Sequence, residues 1–320
     1  MSKPALLAAL LLSFSVFAQK VRIEVEQPIP IGEKDTVYGT LLSEGKSLKE
    51  YHDIPLIIIV AGSGPTDRNG NSAVLPGPND AYKQMADSLL EKHIATFRYD
   101  KPAIGKSTFS GTEEKMRFET NSEVLGAVIA SMKDLGFDDI FLLGHSEGSL
   151  VAMLAAQQNK VSGFISMAGP GRDSHTLIKE QLAGKLPEKL EKQTFEKLDS
   201  IKAGYTVEKY NASVASLIRK SIQPYLRSYF QYNPAKEISK LDIPVLIIQG
   251  GRDMQVKEME GEILKKAKPE ARYIFYPEMN HVLKRVDESQ EQNSAAYYDP
   301  DFPLEENLVK DMASWVHSHK

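Results

Sequence analysis

Residues 140–148 read Ile140-Phe141-Leu142-Leu143-Gly144-His145-Ser146-Glu147-Gly148. The first four form a continuous apolar run, as a short strand buried on both faces of a parallel sheet should. The next five are G-x-S-x-G, and the periodicity of residues 149–158 is helical. A strand that passes straight into a helix through such a turn holds its central residue in strained backbone angles, and side chains at 144 or 148 would collide with neighbouring backbone. The turn carries the Ser146 hydroxyl clear of the sheet and aims the amide of Glu147 at an oxygen bound beside it. Ser146 is therefore a candidate nucleophile, and the Glu147 N–H a candidate donor to a developing oxyanion. The plainer alternative is an ordinary Gly-rich strand-to-helix turn.

Outward from this turn, strands and helices alternate. Residues 21–26 and 37–42 are strand-like, separated by a Pro/Gly-rich turn, and predict an antiparallel pair. Residues 56–61, 94–99, 161–167, 245–249 and 273–276 predict further strands, eight in all. Tyr82, Met85, Ala86, Leu89 and Leu90 share one helical face, as do Leu125, Val128, Ile129 and Met132 before Gly136, and Leu308, Val309, Met312, Trp315 and Val316. The pattern predicts an α/β fold whose mostly parallel sheet is covered on both faces. Residues 171–240 break the rhythm with helical periodicity and no strand run. They predict a helical cap inserted between two parts of a core, 19–170 and 241–320. The cap holds Tyr205, Tyr210, Tyr225, Tyr229, Phe230 and Tyr232, and its 13 Lys/Arg against 8 Asp/Glu leave it at +5. This is either a solvated helix surface over a packed inner face, or a cap that draws in anionic substrates.

A serine is a poor nucleophile without a base. The seven histidines are 52, 93, 145, 175, 281, 317 and 319. His52 and His93 precede strands, at the wrong edge of a parallel sheet; His175 lies in the insertion; His317 and His319 end the chain. The side chain of His145 should leave the turn in another direction from Ser146. His281 follows the last strand, at the carboxyl edge where open α/β sheets place their sites. Asp253 follows residues 245–249 at the same edge and can accept the imidazole N–H, with Glu278 and Asp287 as the other carboxylates within reach of this reasoning. The second oxyanion donor should come from the loop Gly62-Ser63-Gly64, by position the amide of Ser63, with Gly64 the alternative.

The chain has 320 residues, 42% apolar and 26% charged, with a formal net charge of −4. That is enough to bury a large core and excludes a polyanion binder working by bulk charge; no nucleic-acid partner is expected. There is no cysteine, so thiolate chemistry and disulfides are excluded. The chain lacks the glycine–lysine and glycine fingerprints of nucleotide binding, and the chemistry outlined needs neither metal nor organic cofactor. Residues 1–18 combine Lys3, a short apolar run and the small-x-small pattern Val16-Phe17-Ala18, which predicts a secretory signal peptide, an exported protein (periplasmic or extracellular) and no stable membrane insertion after cleavage.

The segments 61–71 (AGSGPTDRNGN), 144–148, 249–256 (QGGRDMQV), 279–284 (MNHVLK) and 223–241 together resemble the α/β-hydrolase superfamily, and most closely the exported bacterial carboxylesterases of the EstD type. The resemblance spans most of residues 20–320 and is weakest in the cap. It implies an α/β-hydrolase fold, a triad on Ser146, Asp253 and His281, and hydrolysis of a small carboxylic ester. The cap aromatics Tyr225, Tyr229 and Phe230 are candidates for the substrate pocket. Pro102-Ala103 stand where relatives commonly have Arg-Gly, in a loop that flanks the site. A peptidase, an acyltransferase or a non-catalytic binding protein on the same fold are the rival expectations.

Overall fold

The computed structural model describes residues 20–45 and 52–320. The signal-peptide expectation for residues 1–18 lies outside them. The chain runs β1 (Val21–Ile31), β2 (Asp35–Gly45), β3 (Leu56–Val60), α1 (Ala81–Leu90), β4 (Ala95–Tyr99), α2 (Phe118–Asp134), β5 (Ile140–His145), α3 (Glu147–Gln158) and β6 (Gly163–Met167). Five helices follow without a strand: α4 (Ser174–Leu182), α5 (Glu188–Lys202), α6 (Ala215–Ile218), α7 (Gln223–Tyr229) and α8 (Pro234–Ile238). Then come β7 (Val245–Gly250), α9 (Glu258–Ala267), β8 (Arg272–Tyr276), α10 (Gln290–Ala295) and α11 (Leu308–His317).

The eight strands form one sheet in the order β1-β2-β4-β3-β5-β6-β7-β8. β1 and β2 pair antiparallel with each other, and β2 pairs antiparallel with β4; every other pairing is parallel. The continuous apolar strands are the central ones: every residue of β3, β4, β5, β6 and β7 is buried. Each fully buried Ile or Leu there contributes about 1.5–3 kcal/mol through removal of its side chain from water. One face packs against α2, α3 and α9, with Phe97, Phe118, Leu142 and Phe164 in its core. The other packs against α1 and α11, with Ile57, Phe141, Met167 and Trp315.

The first hairpin differs from the sequence reading. Its strands run on to Ile31 and start at Asp35, so the turn is only residues 32–34, and Pro28 and Pro30 lie within β1 opposite Tyr38 and Thr36. β1 is an edge strand, where a proline without an N–H removes no ladder bond. Helix α3 also begins two residues before the expected start.

The order reverses at β3, whose neighbours β4 and β5 lie on opposite sides. This creates the crevice at the carboxyl edge where such sheets bind ligands. Because Val60 pairs with Gly144, the loop leaving β3 lies directly beside the turn leaving β5. The five helices between β6 and β7 are tied to the core at both ends. Glu260, fully buried on α9, accepts from the backbone N–H groups of Gly171 and Arg172 at 2.9 and 3.0 Å and from Arg172 Nε at 2.7 Å. On α7, Tyr229 stacks on Phe118 of α2 with ring centroids 4.3 Å apart. Among the described residues no helix is long and apolar enough to cross a membrane.

Candidate active site

Ser146 stands between β5 and α3 with φ 54° and ψ −125°, a positive-φ conformation that costs a non-glycine residue about 1–3 kcal/mol. The turn tolerates no bulk. A Cβ on Gly144 would collide with the Gly148 carbonyl and stand 2.5 Å from Ser149 Cα; one on Gly148 would strike the Val60 carbonyl and stand 2.6 Å from that of Ala61. The amide of Ser146 is bound to the Met167 carbonyl at 2.9 Å, which leaves the Glu147 amide as the first free donor of the helix. The side chain of Ser146 is partly exposed while its flanking residues are buried.

Asp253 and His281, 28 residues apart in the chain, meet at the carboxyl edge: His281 Nδ1 lies 2.7 Å from Asp253 Oδ2. The other carboxylate oxygen, Oδ1, accepts from the backbone N–H groups of Gln255 and Val256 at 2.7 and 2.8 Å, so the carboxylate cannot rotate. Both residues are buried. The two other carboxylates considered from sequence point elsewhere. Glu278 binds Arg285 at the surface, and Asp287 Oδ1 accepts from the Ser289 amide. His281 and Ser146 line the same pocket, of about 440 Å³, with Ser63, Leu75 and Tyr297.

A larger pocket, of about 660 Å³, opens on the other side of Ser146. Its walls are mostly apolar: Met116, Leu177, Ile178, Leu217 and Leu226 among them, together with Tyr225 and Tyr229. Ser63, Gly64, Pro65, Ser146 and Gln255 line both pockets, so the serine sits at their junction. Of the three cap aromatics singled out from sequence, Tyr225 and Tyr229 line this pocket, whereas Phe230 turns into the cap's own core with Leu198, Ile201 and Leu226 and meets His175 edge-on. The reason is helical phase: Phe230 follows α7 and lies about 100° round from Tyr229. Six of the cap's 13 basic side chains have acidic partners, among them Lys179 with Asp199, Lys202 with Asp173 and Arg219 with Glu113. Arg219, which lines the large pocket, is thus neutralised there.

Several polar residues around the site, two of them (His145 and Glu147) inside the Gly144–Gly148 turn, have side-chain partners that no motif stated. His145 is buried, and burial together with the nearby His281 pushes its pKa down to about 3, so the ring is neutral. Its Nε2 donates to the His281 carbonyl at 2.7 Å, which leaves Nδ1 to accept from the Tyr82 hydroxyl, also at 2.7 Å. The Tyr82 hydroxyl in turn accepts from the Gly62 backbone. A directed chain of hydrogen bonds therefore runs from the loop after β3, through Tyr82 and His145, to the backbone of His281. Glu147, beside the serine, is buried; burial raises the pKa of its carboxyl, and Oε1 accepts from the Tyr225 hydroxyl at 2.9 Å. Lys101, after β4, extends Nζ to the carbonyls of Gly62 and Gly64 at 2.5 and 2.9 Å. Burial lowers the Lys101 pKa, and the Glu147 carboxylate acts against that shift.

A sequence model of the alpha/beta hydrolase fold matches residues 55–221, the stretch that carries β3, the Gly144–Gly148 turn and the first cap helices. The chain belongs to the α/β-hydrolase fold family. It is similar to esterase EstD of Thermotoga maritima, with 24% identity over 322 aligned residues, covering 94% of this chain and 72% of that protein. Among solved structures, the Pyrococcus furiosus esterase Pf2001 superposes with a TM-score of 0.57 at 16% identity, covering 93% of this chain and 91% of its own. Est1E from Butyrivibrio proteoclasticus gives a TM-score of 0.56 at 16% identity, covering 92% and 99%. In this α/β hydrolase the Gly144–Gly148 turn, the Asp253–His281 pair and the loop after β3 all stand at one edge of the sheet.

Proposed function

We propose that this α/β hydrolase cleaves carboxylic esters through an acyl-enzyme on Ser146, with His281 as base, Asp253 as its orienting partner and the amides of Ser63 and Glu147 as oxyanion donors. One observation carries the reading: the imidazole of His281, bound through Nδ1 to a locked carboxylate at 2.7 Å, lines the same pocket as a serine held at positive φ. With Nδ1–H given to Asp253, Nε2 is the basic nitrogen. Ser146 Oγ attacks the ester carbonyl as Nε2 takes its proton. The oxygen that gains charge is met by backbone N–H groups, each worth about 3 kcal/mol in comparable sites. Nε2 then returns the proton to the leaving alcohol, and water cleaves the acyl-enzyme through the same base. The esterase names of EstD and Pf2001 agree with this chemistry.

The two pockets orient the substrate. The leaving oxygen must reach His281, so the alcohol occupies the smaller pocket that His281 lines, and the acyl group occupies the larger apolar one. A cavity of about 660 Å³ is far more than an acetyl group needs and favours longer or aryl acyl groups. The small-x-small pattern that ends at Ala18 supports reading the enzyme as an exported one.

The test combines labelling and turnover. A fluorophosphonate should attach covalently to Ser146 in the wild-type enzyme, located by peptide mass, and p-nitrophenyl butyrate should be hydrolysed. Both should vanish in Ser146→Ala while the circular dichroism spectrum stays unchanged. Labelling elsewhere, or undiminished turnover in the variant, would overturn the assignment.

A further inference from the structure

We propose that Lys101 is a positioning residue for the oxyanion hole, holding the Ser63 amide toward the reacting carbonyl; this rests on the esterase reading above. The observation is its two hydrogen bonds. Nζ donates to the carbonyls of Gly62 and Gly64, the residues on either side of Ser63. All described peptide bonds are trans, and in a trans peptide the C=O and N–H point in opposite directions. The carbonyl of Gly62 belongs to the same peptide unit as the N–H of Ser63. With that carbonyl fixed on Lys101, the N–H faces away from the lysine. Gly64, at φ 76°, precedes Pro65, so the carbonyl held by the second bond has no N–H behind it, and that bond serves only to fix the path of the loop. The Ser63 carbonyl between them accepts from Thr66 Oγ1 at 3.1 Å.

Gly62 is packed close against Ser146 and His145, but Gly64 supplies no hold of its own. A Cβ on Gly64 would meet nothing within 4 Å. On that side of Ser63 the loop has no side-chain packing to fix its path, and glycine leaves the backbone the widest choice of angles. Lys101 itself is anchored. Asp100 before it binds Arg68 through both carboxylate oxygens, at 2.8 Å to the backbone N–H and 2.7 Å to Nη2, and Pro102 after it fixes the chain. A turn bond from the Ile104 amide to the Lys101 carbonyl, 3.0 Å, closes the loop. Lys101 is also a lining residue of the large pocket, with Ser63, Ser146 and Glu147.

The test compares wild type, Lys101→Met and Lys101→Arg on p-nitrophenyl butyrate and on an aryl trifluoromethyl ketone. The ketone adds Ser146 Oγ to its carbonyl carbon, puts the resulting oxyanion in the hole and leaves the proton on His281. Removing the lysine should lower kcat about 10- to 100-fold with KM within about threefold, because a misaligned donor acts on the transition state and not on ground-state binding. Affinity for the ketone should fall by the same factor as kcat, and Lys101→Arg should recover part of both. A purely structural role would lower melting temperature without linking ketone affinity to kcat. Unchanged kcat in folded Lys101→Met, or a loss confined to KM, would overturn the proposal. If Lys101→Met does not fold, Lys101→Gln, which keeps one donor, takes its place in the same comparison. Wild-type protein that neither turns over the ester nor takes a fluorophosphonate would overturn the esterase reading itself, and the proposal with it.

Discussion

His145 donates through Nε2 to the main-chain carbonyl of His281 across 2.7 Å, so the residue before Ser146 holds the backbone of His281, the proposed base. The bond on the other side of the ring requires it to be neutral, since Nδ1 must accept from the Tyr82 hydroxyl while Nε2 donates. Its pKa, pushed down to about 3 by burial, keeps that arrangement through the working range.

The same depression has a thermodynamic consequence. Unfolded, the imidazole titrates near 6.5; folded, near 3. Between these values the unfolded chain binds the extra proton, so the stability that His145 contributes is complete above pH ~6.5 and is lost as pH falls toward 3, at about 1.4 kcal/mol per unit. His145→Gln keeps a donor for the His281 carbonyl and does not titrate. Urea unfolding at pH 7 and pH 5 should show wild type losing about 2 kcal/mol more than this variant over that interval. Equal losses would mean that the ring is protonated in the folded state.

Asp253→Asn should leave the fold near wild type, since the amide oxygen can still accept from Gln255 and Val256. It presents an N–H where His281 needs an acceptor, which turns the imidazole to the wrong tautomer, and kcat should fall about 10⁴-fold. Initial rates on p-nitrophenyl butyrate measure this. A loss below tenfold would make another group the partner of His281.

The strain at Ser146 predicts opposite effects on stability and activity. Ser146→Gly abolishes turnover but relieves a φ of 54°. Against the entropy that glycine restores to the unfolded chain, the net gain should be about 1 kcal/mol, or roughly 2 °C in melting temperature, relative to Ser146→Ala. Calorimetry of the two variants side by side decides it. An alanine variant as stable as the glycine variant would argue against strain.

The substrate orientation is separable by pocket. Met116 is a half-buried loop residue in the large pocket, and Leu75 lines the small one. Met116→Trp should reduce kcat/KM for p-nitrophenyl octanoate at least tenfold while sparing the acetate. Leu75→Trp should change selectivity among acetates of different alcohols and leave acyl-length dependence intact. The reverse pattern would exchange the two pockets.

The strand and helix alternation, the buried central strands and the Gly144–Gly148 turn were legible in the chain because each is a local pattern: side-chain periodicity and the steric demands of one tight turn. Asp253 and His281 were also legible, since topology places every loop after a parallel strand at the same edge. Misreadings came where local pattern was silent. Prolines inside β1 are tolerated only because no further strand pairs on that side, and Phe230 leaves the pocket through its phase on a short helix. Tyr82 and Lys101 belong to no motif and His145 sits in one that says nothing of its side chain; the three come from separate segments, and their roles exist only when β3, β4 and β5 stand side by side. The sequence by itself determined which residue types reach the sheet edge, because chain direction and strand order do that. Which of them touch, which pocket each faces and which protons they share were decided by the tertiary structure, because hydrogen bonds of 2.5–2.9 Å between distant segments depend on packing that no local pattern encodes.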